Sequence, residues 1–349
     1  VLTVIGVGLS PVFLHVLGTP ANIVEQADLY LKIYFSGSLA ELTYNVGSGI
    51  LQASGDTKRP FIFLLISSAV NIVLDYVFIA IFGWGTAGAA WATVIAQCIA
   101  AALIVAALVR SKAGCKLNFS KIRIEKSLVP NILQMGLPAG FQNAIVSLSN
   151  VIIQWYINAA GSAAVGGFGV FNKIDGIIML PLNSIALAAM TFAGQNTGAG
   201  KSRRIVSGIK TVFILEGLAW ALGMGICLVF RENLFKIFTD DTEIIRYAVL
   251  TMEYDMPFYW ALGTGCAMTS IIRGMGHSKA ASVILIVTMC ILRQIFIYCC
   301  EKAGGGLHCV LVSYPVSWIL LLAGALLYTL YLNRSGEFKN LCPADAKGI

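Results

Sequence analysis

Apolar residues run in long blocks along this chain, and polar residues collect between the blocks. Bounded by Gly, Pro or charge, the blocks lie near 1–17, 27–52, 60–82, 86–109, 130–158, 163–193, 206–230, 246–271, 281–300 and 308–332. A helix crossing a bilayer needs about 20 mainly apolar residues, so the pattern predicts ten membrane-spanning helices. Of 349 residues, 58% are hydrophobic and only 12% charged, with a mean hydropathy of +0.81. A water-soluble globular chain is excluded, and ten spans leave no room for a sizeable domain outside the membrane. The fold class expected is an all-α polytopic membrane protein whose function sits within the bilayer.

The formal net charge of +7 says less than its placement. Lys58, Arg59, Arg110, Lys112, Lys116, Lys121, Arg123, Lys126, Lys201, Arg203, Arg204, Lys210, Arg273 and Lys279 occupy alternate connections, and Arg334, Lys339 and Lys347 the tail. The opposite connections carry Lys32, Arg231, Lys236, Arg246 and Lys302 beside a surplus of acids. The positive-inside rule then puts the basic loops and the C-terminus in the cytoplasm, with the protein multi-pass in the cell membrane. The opening VLTVIGVGLSPVFLHVLG has no basic n-region, so it is not expected to be a signal peptide. Nothing in the charge pattern calls for nucleic acid. The nine cysteines, odd in number and mostly inside apolar blocks, argue against a disulfide or zinc framework and read as small core hydrophobes.

The basic stretch 111–129 divides the chain, and the two sides resemble each other at an offset of 221 residues. ILQASGDTK (50–58) falls on IIRGMGHSK (271–279), ADLYLKIYF (27–35) on AVLTMEYDM (248–256), and PVFLHVLGT (11–19) on ENLFKIFTD (232–240). Matched segments share a membrane side, so the repeat is parallel. Two pseudo-symmetric six-helix lobes are expected: an incomplete N-lobe over 1–110 with about four helices and lacking its first two, a cytoplasmic linker over 111–129, a six-helix C-lobe over 130–333 and a tail over 334–349.

An ionisable side chain within hydrocarbon costs at least about 2.5–3.5 kcal/mol, so the acids inside the blocks are the first candidates for chemistry. Those singled out are Glu41, Asp75, Asp175 and Glu216, with Lys173 and Arg293 as intramembrane cations. Asn71 and Asp75 stand four residues apart on one helix face, where an amide oxygen and a carboxylate can converge on Na⁺ or share a proton. Asp175 stands near Asn172 and Met179, a mixed polar and soft apolar face suited to a cationic amphiphile; its structural alternative is an ion pair with Arg293. Glu216 and Glu41 could also face a substrate cavity, although an interhelical hydrogen bond is the plainer role for each. Asn143, Asn150 and Gln154 share a stripe, and bends are expected at Pro138 and Pro181. GQNTGAGK (194–201) lacks nucleotide-binding spacing, and the three histidines are too scattered for a metal cluster.

Taken in order, YLKIY (30–34), ILQASGDTKRP (50–60), NIVLDYVFI (71–79), GTAGAAWATVIAQ (85–97), GLPAGFQ (136–142), NKIDGIIMLP (172–181) and GQNTGAGKSRR (194–204) resemble the multidrug and toxic compound extrusion (MATE) family. The resemblance covers nearly the whole chain. It implies a secondary active transporter, not an enzyme, exporting organic cations or amphiphilic drugs by antiport with H⁺ or Na⁺ through alternating access between two lobes. It implies no cofactor beyond the coupling ion, no metal beyond Na⁺ at Asn71 and Asp75, a lipid bilayer as partner and a monomeric state. It also implies that Asn71, Asp75 and Thr93, with Asn45 on the preceding span, form a first-lobe cation or proton site. The family's second-lobe acids are not matched: the first helix of that lobe has none, and Asp255 lies several residues early. This departure points to the DinF-like branch. The alternatives are a lipid-linked saccharide flippase, which would need several cavity Arg and Lys for pyrophosphate, an intramembrane enzyme, for which no motif is present, and a non-transporting membrane scaffold.

Overall fold

A computed structural model describes residues 2–16, 24–111, 116–121, 123 and 125–335. The tail from 336 onward, with Lys339 and Lys347, lies outside the described residues, as do Lys112 and Cys115 of the linker. The chain divides into two compact units, Val1–Arg123 and Ile124–Ile349.

The first unit holds α1 (Leu2–Val16), α2 (Val24–Ser36), α3 (Ser38–Ala53), α4 (Lys58–Asp75) and α5 (Gly85–Arg110), with α4 running on as a π-helical turn over Tyr76–Ile81. Its core is organised by α5, whose buried positions are mostly alanines. Small side chains let neighbouring helices approach closely, which matters where lipid offers no hydrophobic incentive for helices to meet. The Ser67 hydroxyl donates to the Ala96 carbonyl at 2.6 Å, tying α4 to α5.

The second unit holds α6 (Val129–Ala159), α7 (Ser162–Gly198), α8 (Ser202–Lys236), α9 (Thr242–Asp255), α10 (Tyr259–Gly274), α11 (Ser278–Ile286), α12 (Arg293–Lys302) and α13 (Gly306–Arg334). A 3₁₀ turn, Met256–Phe258, separates α9 from α10, and a π-helical turn, Val287–Leu292, separates α11 from α12. Most of α10 is buried, and glycines set how closely it packs. A methyl group at Gly274 would collide with the Met190 carbonyl of α7, and one at Gly263 with the Glu216 carboxyl of α8. The helix α8 kinks at Arg231 (φ 26°), whose guanidinium pairs with Glu253 of α9.

Among the described residues, six helical stretches are individually long and apolar enough to cross a membrane: Lys58–Ile81, Gly85–Arg110, Ser162–Gly198, Arg203–Lys236, Ser278–Lys302 and Gly306–Arg334. The blocks near 27–52 and 246–271 are each broken in two, at Gly37 and at Met256–Phe258, so neither half is long enough alone. Both α6 and α7 run through their internal prolines, Pro138 and Pro181, as continuous helices.

The internal repeat is present in the backbone. A shift of 221 carries α3 onto α10 residue for residue, the start of α5 onto the start of α13, and Gly37 onto Phe258 at the second break. It also carries three left-handed glycines onto three others: Gly55 (φ 90°) onto Gly276 (97°), Gly83 (69°) onto Gly304 (83°), and Gly85 (56°) onto Gly306 (54°). The π turns do not correspond.

One expectation is corrected here. Cys300 and Cys309 form a disulfide, with Cα atoms 5.7 Å apart, across the connection between α12 and α13. An odd cysteine count excludes only complete pairing, and these two stand at helix ends, where the short turn brings their Cα atoms within bridging range. Cys98, Cys227, Cys266, Cys290 and Cys299 are free, and of these Cys227 and Cys290 are buried.

Candidate functional site

The second unit encloses a cavity of about 190 Å³ built from residues of α6, α7, α9, α10, α12, α13 and the π turn before α12. Three residues singled out in the sequence meet there: Asn172, Asp175 and Met179 all line it from α7, as their three- and four-residue spacings require. Asn150 of α6 lines it as well.

Asp175 accepts a hydrogen bond from the Tyr259 hydroxyl at the first residue of α10. The expected ion pair with Arg293 is absent, and Lys173 instead lies 4.9 Å from the Phe238 ring. Arg293 is 4% exposed and donates through Nε and Nη2 to the Ser317 hydroxyl at 3.0 and 2.7 Å, with its guanidinium 4.6 Å over the Tyr314 ring. The Ser317 hydroxyl and the ring face together satisfy this cation, leaving Asp175 to the phenol.

Asp255 also lines the cavity; it is 2% exposed, and its Oδ1 has no hydrogen-bond partner. It ends α9, and the 3₁₀ turn places it one turn before Tyr259, so the helix break supplies two polar groups to one wall. Sequence reasoning set Asp255 aside for its register. The signal that could have found it is Pro257, which disfavours the α conformation in the residue before it and so marks a place where a helix can end beside an acid inside an apolar block. Tyr259, Trp318 and Tyr314 pack edge to face, with ring centroids 5.2 and 5.8 Å apart, and form an aromatic side to the cavity. The result is two carboxyls, one guanidinium, two methionines and an aromatic wall.

Glu216 does not join this cavity. It is wholly buried where α8 crosses α10, wedged into the space left by Gly263, and neither carboxyl oxygen has a hydrogen-bond partner. Its position on α8 points it at the α10 backbone rather than at Asp175, and the interhelical hydrogen bond considered for it is not made. Glu41 lies half-buried in the first turn of α3, in the first unit, and does not line the cavity either.

In the first unit, Asn71 and Asp75 occupy the last two turns of α4, with Asp75 where the α-helix passes into the π turn. The Asn71 Nδ2 is buried without a partner. Thr93 donates to the Ala89 carbonyl at 2.9 Å on α5, and Asn45 is exposed on α3. No hydrogen bond joins these four residues to one another. Gln97, one turn beyond Thr93, holds a buried and unpartnered Oε1 against Gly37, at the α2–α3 break. Among the described residues there is no group of three His, Cys, Asp or Glu side chains able to hold a metal ion; the oxygens of Asn71, Asp75 and Thr93 are the donor types a hard cation takes.

Apolar helices built twice on one plan, with polar groups enclosed inside one copy, describe an integral membrane protein rather than a soluble binding module. The MatE family profile matches residues 1–77 and 138–299, and the chain belongs to that family. It is 30% identical over 294 residues to the probable multidrug resistance protein YpnP of Bacillus subtilis, covering 83% of this chain and 65% of that protein. Identity is 28% to YoeA of the same organism, covering 82% and 63%, and 26% to the probable multidrug resistance protein NorM of Thermotoga maritima, covering 80% and 61%. The chain thus spans less than two thirds of the length of these relatives. Among solved structures, an outward-facing multidrug resistance MATE family transporter superposes with a TM-score of 0.89 at 20% identity, covering 97% of this chain and 76% of that one. A MOP superfamily transporter from Pyrococcus furiosus does so with 0.89 at 19%, covering 97% and 75%.

Proposed function

We propose that the protein exports cationic or amphiphilic small molecules across the cell membrane by antiport against H⁺ or Na⁺, its two lobes giving alternating access. The observation that carries this reading is the second-unit cavity. Two carboxyls facing one guanidinium give it an acidic excess, and the Tyr259–Trp318–Tyr314 wall with Met179 and Met289 supplies polarizable surface for a cation's apolar body. At about 190 Å³ it holds some six waters, or one charged head group, at ~30 Å³ per water. A single lining cation, Arg293, does not suit the pyrophosphate of a lipid-linked saccharide. Kinship with proteins named for multidrug resistance supports the same reading.

Coupling is assigned to the first unit. Asn71 and Asp75 share a face of α4, α5 carries the partly buried Thr93, and the unpartnered Asn71 amide marks a polar spot with unused hydrogen-bonding capacity. The coupling ion is cargo, and no resident cofactor is required.

The test is efflux of tetraphenylphosphonium from proteoliposomes under an imposed pH or Na⁺ gradient. Asp75→Asn is expected to abolish gradient-driven efflux while leaving tetraphenylphosphonium binding in detergent within about twofold; retained driven transport would refute the assignment. Asp255→Asn is expected to weaken binding of tetramethylammonium, a cation small enough for a cavity of about 190 Å³, about tenfold, the equivalent of ~1.4 kcal/mol, without shifting the gradient dependence. Unchanged affinity would remove the cavity from the substrate path.

A further inference from the structure

We propose that the groove between α7 and α8 is a binding site for one acyl chain of an anionic phospholipid, with the lipid phosphate held by Arg204. The groove encloses about 570 Å³; Ala188, Ala189 and Phe192 line it from α7, and Arg204, Gly208 and Leu215 from α8. Its exposed surface is mostly apolar, with the hydroxyls of Ser184, Ser207 and Thr211 the polar groups besides Arg204. A side chain at Gly208 would collide with the Phe192 ring, so the glycine is what lets that ring lie against α8 and form one wall of the groove.

Charge and length identify the occupant. No Asp or Glu stands between Asp175 and Glu216, whereas Lys201, Arg203, Arg204 and Lys210 all fall in that interval. The Arg204 guanidinium is exposed at the mouth of the groove and makes no ion pair among the described residues. An uncompensated cation at the head of an apolar channel complements a phosphate, to which a guanidinium can give paired charge-assisted hydrogen bonds. From Arg204 to Leu215 the helix advances eleven residues, about 16 Å at 1.5 Å per residue. This is half of the ~30 Å hydrocarbon thickness, the depth of a single leaflet. A chain hanging from a phosphate at Arg204 fills the groove to its end.

The site is separate from the acidic cavity and stands whether or not that cavity carries substrate. Native mass spectrometry of the detergent-solubilised protein, equilibrated with equal amounts of phosphatidylglycerol and phosphatidylcholine, tests it. Wild type is expected to retain one phosphatidylglycerol with about tenfold preference. Arg204→Gln should erase the headgroup preference, and Ala188→Phe, at an exposed position projecting into the groove, should remove the bound lipid. Lys210→Gln, outside the groove lining, should change neither. Melting temperatures equal to wild type verify folding, and Arg204→Gln decides the matter alone if Ala188→Phe fails that check. Equal retention of both lipids by wild type, undiminished preference in Arg204→Gln, or displacement of the lipid by stoichiometric tetraphenylphosphonium would overturn the proposal.

Discussion

Single side chains in this protein are placed by backbone events more than by their own chemistry. Asp175 was legible because its neighbours Asn172 and Met179 recur at helical spacing, and all three reach one cavity. Its partner was not: residue types alone pair an acid with Arg293, but the phenol of Tyr259 arrives through a helix break whose position is set by tertiary packing. Asp255, set aside for its register, is placed by the same break. Glycines carry comparable weight, since their absent side chains define how near two helices can come. Gly274 faces the Met190 carbonyl so closely that Gly274→Ala must push α10 away from α7. The substitution is expected to destabilise the second unit by about 2–3 kcal/mol, read as a lower thermal midpoint in detergent, because rigid backbone cannot yield as a flexible side chain would.

At the scale of elements, all ten apolar blocks contain helix, and their ends moved by only a few residues. Interruptions were the part that periodicity could not show. The breaks at Gly37 and Met256–Phe258, and the π turns at Tyr76–Ile81 and Val287–Leu292, lie inside blocks that read as uniform, since hydropathy averages over the turn where the ladder slips. The α12–α13 hairpin shows how two copies of one element can be closed by different means. At the same offset, its disulfide positions Cys300 and Cys309 fall on Ile79 and Gly88 of the first unit. There the turn is packed by Phe78 stacked on Trp84, with ring centroids 5.0 Å apart, against Gly88. Closing so short a loop covalently is worth about 2–3 kcal/mol in the chain-entropy account. Cys309→Ser is therefore expected to lower stability by about that amount in non-reducing buffer, and to match wild type once both are fully reduced.

For the molecule as a whole, the repeat was the most informative feature of the sequence, and it holds at the level of dihedral angles. Left-handed glycines recur at Gly55 and Gly276, where the chain leaves α3 and α10. An L side chain in that region costs about 1–2 kcal/mol, so Gly55→Ala and Gly276→Ala should produce losses of similar size in thermal midpoint, each confined to its own unit in hydrogen exchange. A difference well beyond 1 kcal/mol would mean that the two copies no longer share a turn. The family, too, was legible, in part because ILQASGDTKRP and GQNTGAGKSRR lie at helix ends, where backbone geometry restricts the residue choice. The Cys300–Cys309 bridge bears on orientation. Thiols stay reduced in cytoplasm and pair outside it, so the bridged end of the second unit is expected to face away from the cell interior. That is the end poor in lysine and arginine, so redox chemistry and charge distribution lead to the same expected bearing.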